Sequence, residues 1–477
     1  MLVAKLFRLL LCLMILVILS CDIYMDQARE STVDIVEMPS GLVPIAQIML
    51  VVDAGSADDP PGQYGLARFT AGMIMNQRAA PDGMTYREIL GSSGSSFSVE
   101  VNKTSTTYRF ESLTDHLDST YGLIARAFLK PMFSSNIAEE SRTLQVDSLN
   151  EIIRNAEALA AGVVYGELYS GTAYAHPAIG MTDDIRSLTV EAADSFYTSC
   201  YTLDNISIRI GGKYPPELVE RIRSDFGELP LSPPKKTSLD VLTKQPENRV
   251  VLTESRFADS IVVAFASLPM YSQSDIYTLL LVDSYLRLKL REFNGCRLLP
   301  LPIDQFDTRT PIHMSISAKC ASSIDAIYCM KSVVYELTRL ADGYAEPEFL
   351  ASARDDLINS YLFTHETIFE RLRSGHRPIN PNDSTTMLAF EDRVSAIAME
   401  DMCDAALIHW PHDSALIVVV TGDAHEFREK LIQFSAPTGI PENEIADPAV
   451  EFEHVVMQHD LGIGSGDIAI RDVPEDF

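Results

Sequence analysis

The strongest constraint on this chain is an internal echo. Asn205–Ile210 reads as a strand running into Gly211-Gly212, followed by a helix over Pro216–Phe226. Ala415–Val420 reads as a strand running into Gly422-Asp423, followed by a helix over Glu426–Phe434. A polar helix precedes each unit, over Thr189–Ser199 and Ala396–His409, and the strands start 210 positions apart. Self-similarity at that period predicts a duplicated half. The Pro- and Lys-containing stretch 229–248 then reads as the linker between lobes at 33–228 and 249–435, with 436–477 an acidic tail. Strands clustered in pairs among amphipathic helices predict an α+β architecture of two homologous lobes.

Local patterns fill in the halves. Ala46–Ala54 is an apolar, β-rich run ending at Gly55 and predicts a buried strand. Gly65–Asn76 predicts a helix with Leu66, Phe69 and Met73 on one face. Phe97–Phe110 predicts a strand hairpin, and Ile137–Leu159 one helix. Ile327, Met330, Val334 and Leu337 keep helical spacing until Gly343 stops them.

The N-terminus carries an address. Lys5 and Arg8 precede the apolar run Leu9–Leu19, which is short for a membrane span and reads as a secretory signal. Ile18-Leu19-Ser20-Cys21 resembles a bacterial lipobox, making 1–20 the signal, Cys21 the lipid attachment and 22–32 a tether. A plain signal peptide with a coincidental Cys is the other reading. The expectation is an exported protein held by lipid at the periplasmic face of the inner or outer membrane of a bacterial envelope. Cys200, Cys296, Cys320, Cys329 and Cys403 form no CxxC pair and read as buried thiols.

Charge and motifs exclude several classes. A formal net charge of −29 repels polyanions, so nucleic acid is not expected as a partner. No Gly-rich phosphate loop or G-x-S-x-G elbow occurs. His409-x-x-His412 has ligand-like spacing, but Pro411 breaks helical geometry and a solvated loop is expected. His365, His454 and His459 read as surface residues.

Several stretches, in order, resemble the M16 (insulinase/pitrilysin) metallopeptidases, whose active members bind zinc. Asp53-Ala54-Gly55-Ser56 through Gly65-Leu66-Ala67-Arg68-Phe69 resembles the family's strand, Ala-Gly-Ser turn and Gly-Leu-Ala-His-Phe helix start. Gly83–Glu88, Leu129–Phe133, His176-Pro177-Ala178-Ile179-Gly180, Phe196-Tyr197 with Asn205, and Leu290-Arg291-Glu292 with Gly295 resemble further family segments. The resemblance spans 33–435. It implies two homologous lobes, each a mainly antiparallel sheet with helices packed on it.

The same resemblance locates what is missing. Family enzymes hold zinc with His-x-x-Glu-His on the first-lobe helix, because positions i and i+4 share a face and the Glu polarises the bound water. Here those positions are Arg68, Phe69, Thr70, Ala71 and Gly72. Both ligands and the general base are replaced, and Arg68 puts a permanent cation where a dication would sit. The third family ligand, a Glu in a helix resembling Glu139–Arg154, falls by counting near Leu149–Asn150, with Glu151 beside them. The family's second-lobe Arg and Tyr correspond to Arg291 and Leu298, so the Tyr is gone. A continuous helical pattern over Asp283–Leu290 replaces the Gly-rich loop that usually precedes them.

No cofactor is therefore expected. The resemblance implies a catalytically degenerate, lipid-anchored M16-like protein acting as a non-catalytic partner of an active M16 subunit. A stand-alone lipoprotein that binds extended peptides is one alternative. A zinc endopeptidase with relocated ligands, drawn from Glu139, Glu140 and Glu151, is another. Peptide binding would use the strand beginning at Ser98-Val99, where M16 enzymes add substrate to a sheet edge through backbone groups alone. An ordinary edge blunted by Glu100 and Lys103 is the competing reading.

Overall fold

A run such as Ile45–Val52 can be a strand only if both of its faces are covered, and they are. It forms β2, buried along almost its whole length at the centre of the first sheet. The computed structural model describes residues 32–78, 83–231, 249–268, 276–290, 296–298, 313–364, 366–373, 387–437 and 455–472. The signal segment, Cys21, nearly all of the tether, most of the 229–248 linker, Arg291, His365 and His454 lie outside those residues.

The first sheet joins β1 (Asp34–Pro39), β2 (Ile45–Val52), β3 (Ser96–Val101), β4 (Thr106–Leu113) and β5 (Ile206–Gly212) in the order β1-β5-β2-β4-β3. Only β1 and β5 pair in parallel; β5-β2, β2-β4 and β4-β3 are antiparallel. Against it packs α1 (Leu66–Met75), and α2 (Ser135–Arg154) and the helix Val190–Cys200 pack in turn against α1. The second sheet joins β6 (Val250–Glu254), β7 (Ile261–Ala266), β8 (Cys296–Leu298), β9 (Ser315–Cys320), β10 (Leu416–Thr421) and β11 (Ile468–Asp472) in the order β11-β6-β10-β7-β9-β8. With β11 removed, its order and strand directions repeat those of the first sheet, since β6 and β10 are parallel and the rest antiparallel. The duplicated, mainly antiparallel α+β architecture is thus present in the topology itself.

Two expectations need correcting. The helix expected over Ile137–Leu159 is two helices, α2 and α3 (Ala156–Leu168). Asn155 leaves helical geometry and its Oδ1 accepts from the Glu157 and Ala158 amides at 3.0 and 3.1 Å, so it stops α2 and caps α3. The stretch 436–477 is not simply a tail outside the second lobe. Its β11 pairs in parallel with β6, and Val456, Leu461 and Ile463 are buried in the second core. Lys331 donates to the Ala436 and Met457 carbonyls at 3.2 and 2.8 Å, and Arg249 to the Leu461 carbonyl at 2.6 Å. His459 is half-buried against the Tyr335 ring, not a surface residue.

The two lobes hold each other reciprocally. α3 leaves the first lobe and lays Leu159, Val164 and Leu168 on Val262, Ala264, Leu416 and Val418 of the second sheet. In the second lobe α4 (Ile276–Leu290) packs against α5 (Ser323–Ala341), which packs on that lobe's own sheet, while α6 (Ile368–Arg373) packs on the first sheet. Leu372 of α6 sits over Gly211, where a Cβ would lie 3.3 Å from its methyl carbon. Arg209 of β5 donates to the Leu372 carbonyl at 3.2 Å. Among the described residues no helix is long and apolar enough to cross a membrane. Cys200, Cys320, Cys329 and Cys403 are buried.

Candidate functional site

The first-lobe helix α1 is fixed at its start by Asp59, whose carboxylate accepts from the Gly65 and Ala67 amides, both at 2.7 Å. The carboxylate faces the positive end of the helix dipole and satisfies two of the N–H groups at the helix start. Burial nevertheless pushes the Asp59 carboxyl up to about 7. Gln145 of α2 donates through Nε2 to the Gly65 and Ile179 carbonyls at 3.0 and 2.6 Å, tying α1, α2 and the 176–180 loop together. Nothing in the sequence pattern marked Gln145; its spacing from Ser141 on one helix face was the available signal.

This framework sets the five motif positions. Arg68 is half-buried, and its Nη1 lies 3.4 Å from the Val99 carbonyl of β3. Burial, with Arg87 nearby, lowers the pKa of its guanidinium. Ala71 is fully buried and offers no donor. Gly72 has no side chain, and a Cβ there would meet Ser141 Cβ at 3.5 Å. On α2, Leu149 turns into the protein and Asn150 into solvent, whereas Ser148 and Glu151 line the space beside Arg68. Of the three positions that counting reached, Glu151 lines that space, Leu149 is buried and Asn150 is exposed.

That space is a cavity of about 490 Å³, bounded by Arg68, Val99, Val101, Ser148, Glu151 and Ile152. A second cavity of about 340 Å³ is lined by Phe257, Asp259 and Lys319 of the second lobe, and shares Glu151 and Asn155 with the first. The two adjoin at Glu151 and Asn155, between the β3 edge and the second lobe. Ser98 and Val99 lie on β3, the last strand of the first sheet, so its outer side is unpaired within that sheet. Leu298 lies on β8, opposite Ala318, as an apolar residue packed against the core.

The residues at the zinc position do not fit zinc. Of the five motif positions none is a His, Asp, Glu or Cys, and Glu151 is the single carboxylate on that cavity. Among the described residues no group of three or more His, Cys, Asp or Glu side chains is placed to hold a metal. Glu139 and Glu140 are engaged elsewhere, with Arg142 and with Arg78.

Lys103 does not blunt the edge as expected. It turns inward, is buried, donates to the His176 carbonyl and sits 4.9 Å from the Tyr165 ring. Desolvation pushes Lys103 down to about 8 and His176 and His313 down to about 4. Tyr169 hydrogen-bonds His313 Nδ1 at 2.9 Å. These groups form a buried polar cluster where the lobes meet, drawn from positions far apart in sequence. Glu100, by contrast, does stay on the edge, paired with Arg109 at 2.6 Å. A further cavity of about 840 Å³ lies beside this cluster, lined mostly by small apolar residues with Tyr64 and His176, and by Glu167 and Arg471, which pair at 3.2 Å.

The sequence profile of Insulinase (Peptidase family M16) matches residues 39–181, the segment containing α1, the β3 edge, α2 and α3. A "Mitochondrial-processing peptidase subunit beta" of Dictyostelium discoideum is 22% identical over 248 residues, 50% of this chain and 52% of that protein. A "Non-peptidase homolog YmxG" of Helicobacter pylori is 19% identical over 206 residues, 43% of this chain and 48% of that protein. Each match thus spans about half the length of the curated relative. In fold, the crystal structure of a peptidase M16 inactive domain from Pseudomonas fluorescens superposes with a TM-score of 0.66 at 17% identity, over 82% of this chain and 96% of that one. Residues 39–181 thus resemble the M16 profile, the chain shares the fold of an inactive M16 domain, and positions 68–72 do not read His-x-x-Glu-His.

Proposed function

We propose that this protein is a non-catalytic M16 homologue that holds extended peptide in the cleft between β3 and the second lobe, as a partner of a zinc-bearing M16 chain. The observation that carries this reading is the pairing of a cleft that persists with a motif that does not. Arg68, Ala71 and Gly72 remove the donors and the base that hydrolysis needs, while the unpaired outer side of β3 still offers backbone groups to a peptide strand. Strand addition depends on those groups and not on a metal, so binding can outlive cutting. The relatives support both halves of the reading: one is named a non-peptidase homologue and another a subunit. Anchoring through Cys21 belongs to the same proposal; Cys21→Ser would move the chain from the membrane to the soluble fraction.

The test is incubation of the full chain with a mixture of unstructured heptapeptides, followed by filtration and mass spectrometry. Peptides retained and intact, with no effect of a zinc chelator, are the expected result. Chelator-sensitive cleavage products would instead establish an enzyme with relocated ligands.

A further inference from the structure

Arg68 is placed as a binding group, not merely as the relic of a lost ligand. Its guanidinium reaches the wall of the 490 Å³ cavity from α1, directly beneath the β3 edge. Its hydrogen bond to the Val99 carbonyl is long at 3.4 Å, and among the described residues no carboxylate lies within ion-pair distance of it. A guanidinium has five N–H donors in a planar fork that matches a carboxylate. Removing such a group from water without giving it an anion is costly, and burial here lowers its pKa accordingly. Other half-buried arginines around this lobe are matched: Arg109 to Glu100, Arg142 to Glu139 and to the Leu188 carbonyl. Glu151 shares the cavity yet is exposed and makes no ion pair with Arg68 among the described residues, so it marks the solvated rim.

We propose that the cavity at the former zinc position is a carboxylate pocket, in which Arg68 takes the carboxylate of an extended peptide lying along β3. The carboxylate is either the peptide's C-terminus or an Asp or Glu side chain. This rests on the peptide-binding reading above and specifies which peptides that cleft selects. The Val99 carbonyl that Arg68 touches belongs to the edge strand itself, so the bidentate fork and the backbone groups of β3 act on adjacent parts of one ligand. Selection would arise from pairing a half-buried cation, not from the overall charge of the chain, which is strongly negative and opposes acidic ligands at long range.

The experiment is fluorescence anisotropy of the full chain with three labelled heptapeptides of alternating Val and Thr. One has a free C-terminal acid, one a C-terminal amide, and one an amide with a central Glu. A charge-assisted pair predicts that at least one carboxylate peptide binds about tenfold more tightly than the neutral amide, and the stronger of the two names the source. Arg68→Gln should abolish that difference, and Arg68→Lys should keep part of it. If the Arg68 variants do not fold, the acid-to-amide ratio of the unaltered protein should still exceed one at a salt concentration high enough to screen the long-range repulsion from the chain's net charge, and a ratio of one there would overturn the pocket. Equal binding of all three peptides would overturn the carboxylate pocket and leave the peptide-binding reading standing. Binding of none would overturn both.

Discussion

Gly65 and Gly180 stand back to back: a Cβ on Gly180 would fall 2.7 Å from the Gly65 Cα and 2.4 Å from the Tyr64 carbonyl oxygen. Both have positive φ, 98° and 95°, which L side chains rarely adopt. This close approach brings the 176–180 loop onto the start of α1 and so shapes the wall of the cleft. Gly180→Ala should cost about 2 kcal/mol or more from backbone strain alone. Thermal unfolding should fall by about 4–8 °C for a lobe of this size. An unchanged melting temperature would mean that the loop does not brace α1.

The inter-lobe clasp makes a separate prediction. Leu372 is fully buried between α6 and the first sheet. Leu372→Ala should cost about 2–5 kcal/mol, the range for a buried Leu truncated in a packed site. Limited proteolysis should then cut around α6 sooner than in the unaltered protein. Equal digestion rates would remove α6 from the account of how the lobes are held.

Ending the chain after Ser435 tests the corrected boundary of the second lobe. The cut removes Val456, Leu461, Ile463 and Ile468, all buried, each contributing about 1.5–3 kcal/mol. It also uncovers the β6 edge, a template for intermolecular pairing. Lower melting temperature and aggregation by light scattering are expected. A monodisperse chain of full stability would show the segment to be dispensable.

The buried cluster where the lobes meet sets a pH dependence. His176 and His313 titrate near 4 when folded and near 6.5 when unfolded. Between those values the unfolded chain binds more protons, so their contribution to stability is full above about 6.5 and is lost as pH falls toward 4. Asp59, raised to about 7, works the other way: the folded chain binds more protons, and its contribution is lost as pH rises from about 4 to 7. Asp59→Asn should therefore steepen the rise in stability between pH 4 and 6.5, measured by urea unfolding. Parallel curves for the two proteins would contradict the burial of that carboxyl.

The duplication was legible because strand, glycine and helix recur in fixed order, and β5 and β10 occupy equivalent places in the two sheets. Arg68, Ala71 and Gly72 differ in kind from metal ligands, and that difference is read from the sequence alone. What escaped depends on long-range partners. The break at Asn155 hides because Ile152 and Leu159 continue an apolar pattern across it. Lys103 looks like an edge charge until its acceptor, the His176 carbonyl 73 positions away, is known. β11 is five residues of a segment whose acidic composition resembles an exposed tail, and only its pairing with β6 places it. Ser148, and not Leu149 or Asn150, lines the space beside Arg68 because the pitch of α2 against α1 sets the facing residue.

The central claim is that this cleft cannot hold zinc. Its most direct test is the zinc content of the full chain purified from zinc-supplemented medium, by elemental mass spectrometry, with the final dialysis buffer as blank. The account predicts zinc well below one per chain. One zinc per chain that survives dialysis would contradict it.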